Sequence, residues 1–252
     1  MTDTAPVEPA PARPTDAAFL PRRAIALSPA AAPATALRAK LGGQPRWLEA
    51  PTWPLAAVDG EPMTFVAQFP VPGAGARMAY LFLAQDDDCM ASGYTADGGD
   101  TALIIQPGGR IPDFVATVAR ATGPTLWRRG PSWWDKIPVE LEAELIAVEP
   151  AEELRIEQEA DRQDAERAGD HSFPMPDDFA TPGSYVGGRP LFWQPGCVGE
   201  EIQSPWQFFF SLDSCPDEEG SAAYWVNFGE GGTGYAFLSP DHLEGRFFWD
   251  CI

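Results

Sequence analysis

The sequence predicts an α+β fold that is mainly β: an internally duplicated antiparallel sheet, barrel-like, forming a single domain with a few peripheral helices. Three observations predict it. Short motifs recur at nearly constant spacing: Gly42-Gly43-Gln44-Pro45-Arg46-Trp47 is answered by Gly187-Gly188-Arg189-Pro190-Leu191-Phe192-Trp193, Phe65-Val66-Ala67-Gln68-Phe69 by Phe208 through Leu212, and Ala79-Tyr80 by Ala223-Tyr224. Constant spacing between copies marks a duplicated unit. Between the motifs lie short apolar or alternating stretches bounded by Gly and Pro, the pattern of strands and tight turns. A stretch from Pro150 to about Ala168 lacks Gly and is built from helix formers, with Glu152 and Glu153 in its first turn.

Taken in order, residues 1 to 20 are rich in Ala and Pro with few large apolar groups, so they are expected to form a disordered tail. Residues 21–252 form the domain, with pseudo-repeats at about 21–149 and 171–252 joined by an acidic helical connector at 150–170. Ile25 and Leu27 alternate with small residues and predict a first strand. In each copy the paired glycines, Gly42-Gly43 and Gly187-Gly188, reach backbone conformations closed to other residues, and Pro45 or Pro190 stiffens the turn. Met63 to Pro70 and Met78 to Ala84 predict an antiparallel pair, the second strand covered on both faces. Thr101 to Gln106, Phe114 to Ala119 and Thr125 to Trp127 predict further strands.

Val139 to Leu145 alternates strictly and places Glu140, Glu142 and Glu144 on one face, the pattern of a half-exposed strand at a sheet border. In the second copy, Pro205 to Leu212 and Ala223 to Phe228 read as strands. The latter enters a turn built on Gly229, Gly231 and Gly234, and Tyr235 to Leu238 leaves it. Arg246 to Cys251 closes the sheet. The turn carries no lysine and is followed by no helical pattern, and Glu230 would repel phosphate, so it reads as a hairpin rather than a phosphate cradle.

Residues with chemistry to offer are few. Trp47 and Trp53 either line a groove or cover the end of the barrel. Gln68 and Gln106 are amides in apolar company, so each ties backbone segments together or reaches a ligand. Trp193, Asp213, Trp225 and Glu230 complete the candidate ligand-binding set. No catalytic residue is nominated: the two histidines, His171 and His242, lie in loop-like contexts, and Ser184, Ser204, Ser211 and Ser214 lack a nucleophile elbow. Asp213 with Glu230 is the carboxylate pair an acid–base enzyme would need. The loops holding Asp86-Asp87-Asp88 and Asp97-Gly98-Gly99-Asp100 lack the regular ligand series of an EF-hand. Cys89, Cys197, Cys215 and Cys251 form no closely spaced metal pair, so no metal or cofactor is expected.

Charge narrows the partners. Seventeen Lys and Arg stand against 37 Asp and Glu, a formal net charge of −20, which argues against nucleic acid and anionic membranes. Twelve acids and three arginines fall between 138 and 170, making that segment the first place to look for a basic partner. No apolar run approaches a membrane span, and the acidic start is unlike a secretory signal, so a cytoplasmic protein with reduced thiols is expected.

The order Lys40-Leu41-Gly42-Gly43-Gln44-Pro45-Arg46-Trp47, Trp53-Pro54, Pro62 through Phe69, Gly187-Gly188-Arg189-Pro190, Phe210-Ser211-Leu212-Asp213-Ser214 and Phe228-Gly229-Glu230-Gly231-Gly232-Thr233-Gly234-Tyr235 resembles the YwqG-like family, a bacterial domain of unknown function. The likeness covers roughly residues 24 to 252 and implies a mainly β, duplicated fold without assigned catalytic residues. Phe228, Glu230 and Ser211 stand where that pattern has Trp, Asp and Gln. A fainter likeness in Leu41 to Trp47 and Phe65 to Phe69 points to the programmed-cell-death-protein-two group, which escorts a basic ribosomal protein. The expectation is a non-enzymatic module engaging an unknown protein partner as an immunity- or chaperone-like factor, the acidic charge either selecting a basic partner or only keeping the chain in solution. The alternatives are a small-molecule or saccharide site in an aromatic cleft between the halves and, third, a hydrolase or metal enzyme.

Overall fold

A computed structural model describes residues 20–34, 36–73, 75–85, 91–132, 135–170, 172, 179–197, 202, 205–215 and 222–252. The expected tail, Asp86-Asp87-Asp88, Cys89, Trp133, Trp134, His171 and Ser204 lie outside these. The elements are β1 (Arg23–Pro29), β2 (Lys40–Gly42), β3 (Trp53–Leu55), β4 (Thr64–Pro70), β5 (Met78–Leu83), β6 (Thr101–Gln106), β7 (Ala116–Val118), β8 (Trp127–Arg129), β9 (Lys136–Pro138), β10 (Glu140–Ala147), α1 (Pro150–Arg167), β11 (Tyr185–Val186), β12 (Gln207–Asp213), β13 (Thr233–Leu238) and β14 (Gly245–Asp250).

Ten strands close one antiparallel barrel in the order β1-β10-β2-β4-β5-β6-β14-β13-β12-β11, with β3–β7 and β8–β9 as separate two-stranded sheets. The mainly β, single-domain expectation holds. Along β5, Ala79, Leu81 and Leu83 face the barrel core with Leu41, Phe69, Leu103, Phe210, Ala236 and Phe247. Met78, Tyr80 and Phe82 face outward and are buried under Trp47, Trp53 and Leu48. Period-two alternation is hidden in the sequence because both faces are apolar.

Pairing registers show the duplication. Gln68 opposes Tyr80, and Ser211 opposes Tyr235; Met78 opposes Gln106, and Thr233 opposes Asp250. The β4–β5 pair shifts register between Phe65 and Ala67, and the β12–β13 pair shifts between Phe208 and Phe210, the matching positions. The third sequence match fails: Ala223-Tyr224 is not the counterpart of Ala79-Tyr80, because β13 is the strand equivalent to β5. Residues 223–228 form no named strand. Tyr224, Val226 and Phe228 instead pack into the barrel core from one end.

The first strands are exchanged. β1 pairs with β11 of the second copy, while its equivalent β10 pairs with β2 of the first. β1 and β10 then pair with each other about a pseudo-twofold centred on Ala26 and Glu144: Arg23 faces Ala147 as Pro29 faces Leu141. The expected sheet border at β10 is therefore overturned, since β10 has a neighbour on both sides. Glu140 pairs with Lys40 and Glu142 with Arg38, so two of its acids do pairing work instead of guarding an edge.

The paired glycines sit at the crossing points. Gly43 (φ +64) donates to Val139 O and Gly188 (φ +72) to Leu20 O, each at 2.7 Å. A Cβ on Gly43 would strike the Glu140 carboxylate, and one on Gly188 the Arg22 guanidinium. Beneath Gly43, Lys40 Nζ donates to Gln44 O at 2.8 Å and to Glu140 Oε1 at 3.0 Å. Burial lowers the pKa of this ammonium against the pull of Glu140.

α1 has a buried side although its apolar residues are few, because that side is partly polar. Ile156, Glu159, Ala160 and Gln163 are buried. Gln163 donates to Phe192 O at 3.0 Å and accepts from Phe192 N at 2.9 Å. Arg22 pairs with Glu153 and Glu157, and Arg189 with Glu157, Asp161 and Asp164. No helix among the described residues is long and apolar enough to cross a membrane.

Candidate binding site

The candidate residues fall into three places. Trp47, Trp53, Gln68 and Gln106 meet on the outer face of the first copy. The rings of Trp47 and Trp53 lie 6.2 Å apart in an edge arrangement, and Trp47 covers Tyr80 at 5.0 Å. Gln68 accepts from Arg46 N at 2.9 Å and donates to Arg38 O at 3.0 Å. Gln106 accepts from Leu48 N and Glu49 N, both at 3.2 Å, and donates to Ala50 O at 3.1 Å. Both amides are committed to holding the segment after the glycine pair, the tie rather than the ligand contact.

Trp193 and Asp213 meet on the corresponding face of the second copy. Asp213, Thr233 and Asp250 are directly opposed on β12, β13 and β14, so their side chains share one face. Trp193 Nε1 donates to Thr233 Oγ1 at 3.1 Å, and Thr233 Oγ1 donates to Asp213 Oδ1 at 2.7 Å. Asp213 N donates to Ser184 Oγ at 2.9 Å. Tyr235 donates to Asp250 Oδ1 at 2.8 Å, and Gln194 N to Asp250 Oδ2 at 2.9 Å.

Desolvation pushes the Asp213 carboxyl up to about 6, although the Thr233 hydroxyl opposes the shift. Asp250 is raised for the same reason, against donors from Gln194, Tyr235 and Trp193. Burial also drives the Tyr235 phenol well above its ordinary range. Among the described residues no Lys or Arg pairs with either aspartate. The first copy has Pro70, Met78 and Gln106 where the second has Asp213, Thr233 and Asp250. The carboxylate row is thus a feature of one copy. Thr233, Tyr235 and Asp250 escaped the sequence reading because only strand register aligns them with Asp213; the polar Thr233 and Asp250 at the ends of apolar strands were the available signal.

Trp225 stands elsewhere, beside Trp127 with ring centroids 6.5 Å apart. Glu230 is exposed on its turn. Contacts thus join Trp47 and Trp53 in the first copy, Trp193 and Asp213 through Thr233 in the second, and Trp225 with Trp127. His242 is less idle than its loop context suggests: its ring nitrogens lie 3.0 Å from Pro72 O and 3.1 Å from Gln207 Oε1. Among the described residues no group of three or more His, Cys, Asp or Glu is placed to hold a metal ion. Comparison with family models, curated proteins and solved structures finds no match to the chain.

Proposed function

We propose that this chain is a non-enzymatic, cytoplasmic binding module that engages a basic protein partner as an immunity- or chaperone-like factor, and that it belongs with the YwqG-like proteins it resembles. One observation carries the reading of the partner. The acids of α1, which the charge distribution nominates first, are answered from within by Arg22, Arg155, Arg162, Arg167 and Arg189. Asp213 and Asp250 are partly desolvated and have only neutral donors among the described residues. A half-buried carboxylate without a counter-charge gains most from an arriving cation. A lysine or arginine side chain laid against the Trp193 indole would meet both the charge and the aromatic face.

The test is capture of basic proteins by wild-type chain and by Asp213→Asn/Asp250→Asn, at low and high salt. The expected result is a basic protein retained at low salt, released by salt and lost with the double variant. Equal capture by the variant sinks the reading. The rival, a saccharide or other small molecule stacked on Trp193, predicts a ligand that raises the melting temperature of wild type but not of Trp193→Ala.

A further inference from the structure

The β8–β9 hairpin stands outside the ten-stranded barrel and carries a charge opposite to that of the chain. Arg128, Arg129 and Lys136 lie in it against Asp135 alone. Two of its three cations are mounted on indoles. The Arg129 guanidinium lies 4.0 Å from the centre of the Trp225 ring, and Lys136 Nζ lies 5.0 Å from that of Trp127. The two indoles are within 18° of parallel. Trp225 N donates to Trp127 O at 2.7 Å, which ties the hairpin to the segment entering the barrel end. Arg128 and Lys136 are exposed, and Trp127, Arg129 and Trp225 are half-buried.

Stacking on an indole restricts a long cationic side chain before any partner arrives, which lowers the entropy lost on binding. Trp and Arg together are also the residue types that most often dominate binding energy at protein interfaces. We infer that the β8–β9 hairpin with Trp225 is a second docking surface, and that its occupant is a short acidic segment of a protein partner. The chemistry is carboxylate against Arg128 and Lys136, with an apolar or aromatic side chain against Trp127 and Trp225. Nucleic acid fits less well, because an extended polyanion would meet three cations here and a chain of net charge −20 around them. The hairpin is opposite in sign to the Asp213 row.

A dye-labelled, glutamate-rich peptide containing phenylalanine, titrated with full-length protein and followed by fluorescence anisotropy, tests this directly. Saturable, salt-sensitive binding is expected, weakened about tenfold or more in Arg128→Glu/Lys136→Glu and unchanged in Asp213→Asn. Both reversed residues are exposed, so the double variant should keep the wild-type melting curve; Trp225→Phe, which keeps an aromatic ring, gives a second, milder weakening. The inference is overturned by absence of saturable binding, by equal affinity of the charge-reversed variant, or by an oligonucleotide of equal charge binding as well as the peptide.

Discussion

Gln106 and Asp250 occupy the same station in the two copies, each closing the outer end of its barrel strand by accepting main-chain N–H groups from the segment after the glycine pair. Gln106 takes Leu48 and Glu49; Asp250 takes Gln194. The station needs an acceptor, and only the second copy supplies it with a charge.

Removing the acceptor should cost more than removing the charge. Gln106→Ala leaves two N–H groups unanswered and is expected to lower unfolding free energy by about 1–3 kcal/mol, whereas Asp250→Asn keeps an acceptor and should cost little. Urea unfolding of both variants checks this.

Asp213 makes stability depend on pH in a stated direction. Its carboxyl is held at about 6, above the ordinary 3.8, so between those values the folded chain binds more protons than the unfolded one. Stability should therefore rise as pH falls from 7 through about 6, this contribution being complete near 3.8. Asp213→Asn should flatten the curve over that window and raise stability at pH 7 by about 1–3 kcal/mol. Thermal unfolding from pH 4 to 8 is the measurement, and an unchanged slope defeats the prediction.

Lys40 and Glu140 form a pair whose ammonium is buried and whose carboxylate is largely so. Lys40→Met leaves Glu140 without its cation and should cost about 3–5 kcal/mol. Lys40→Met/Glu140→Gln should recover part of that loss, which a double-mutant cycle would show.

At the crossing points, Gly43→Ala and Gly188→Ala each force a side chain into left-handed backbone and against a charged group. Each should destabilise by about 1–3 kcal/mol or more. An equal loss at Gly60, whose Cβ would meet nothing within 4 Å, would show that the backbone alone accounts for the effect.

Much of the fold was legible because its punctuation is chemical. Gly42-Gly43 and Gly187-Gly188 announce left-handed turns, and Gln68 announces a buried tie; both are where the sequence places them. The β5 to β13 equivalence was not legible, because a longer connection precedes β13 and the Ala-Tyr pair at 223–224 imitates the expected match. The outline of the site was only half legible. Trp193 and Asp213 stand out as residue types, but Thr233 and Asp250 join them through register, which is a property of paired strands and not of either strand alone.

The exchange of β1 and β10 makes each ancestral block hostage to the other. Neither block can be excised as a self-sufficient piece, since cutting after β10 strands the second block without the neighbour that β11 requires. Evolution could add a hairpin to one end or recharge one face, yet the two blocks must rise and fall together in a single cooperative transition.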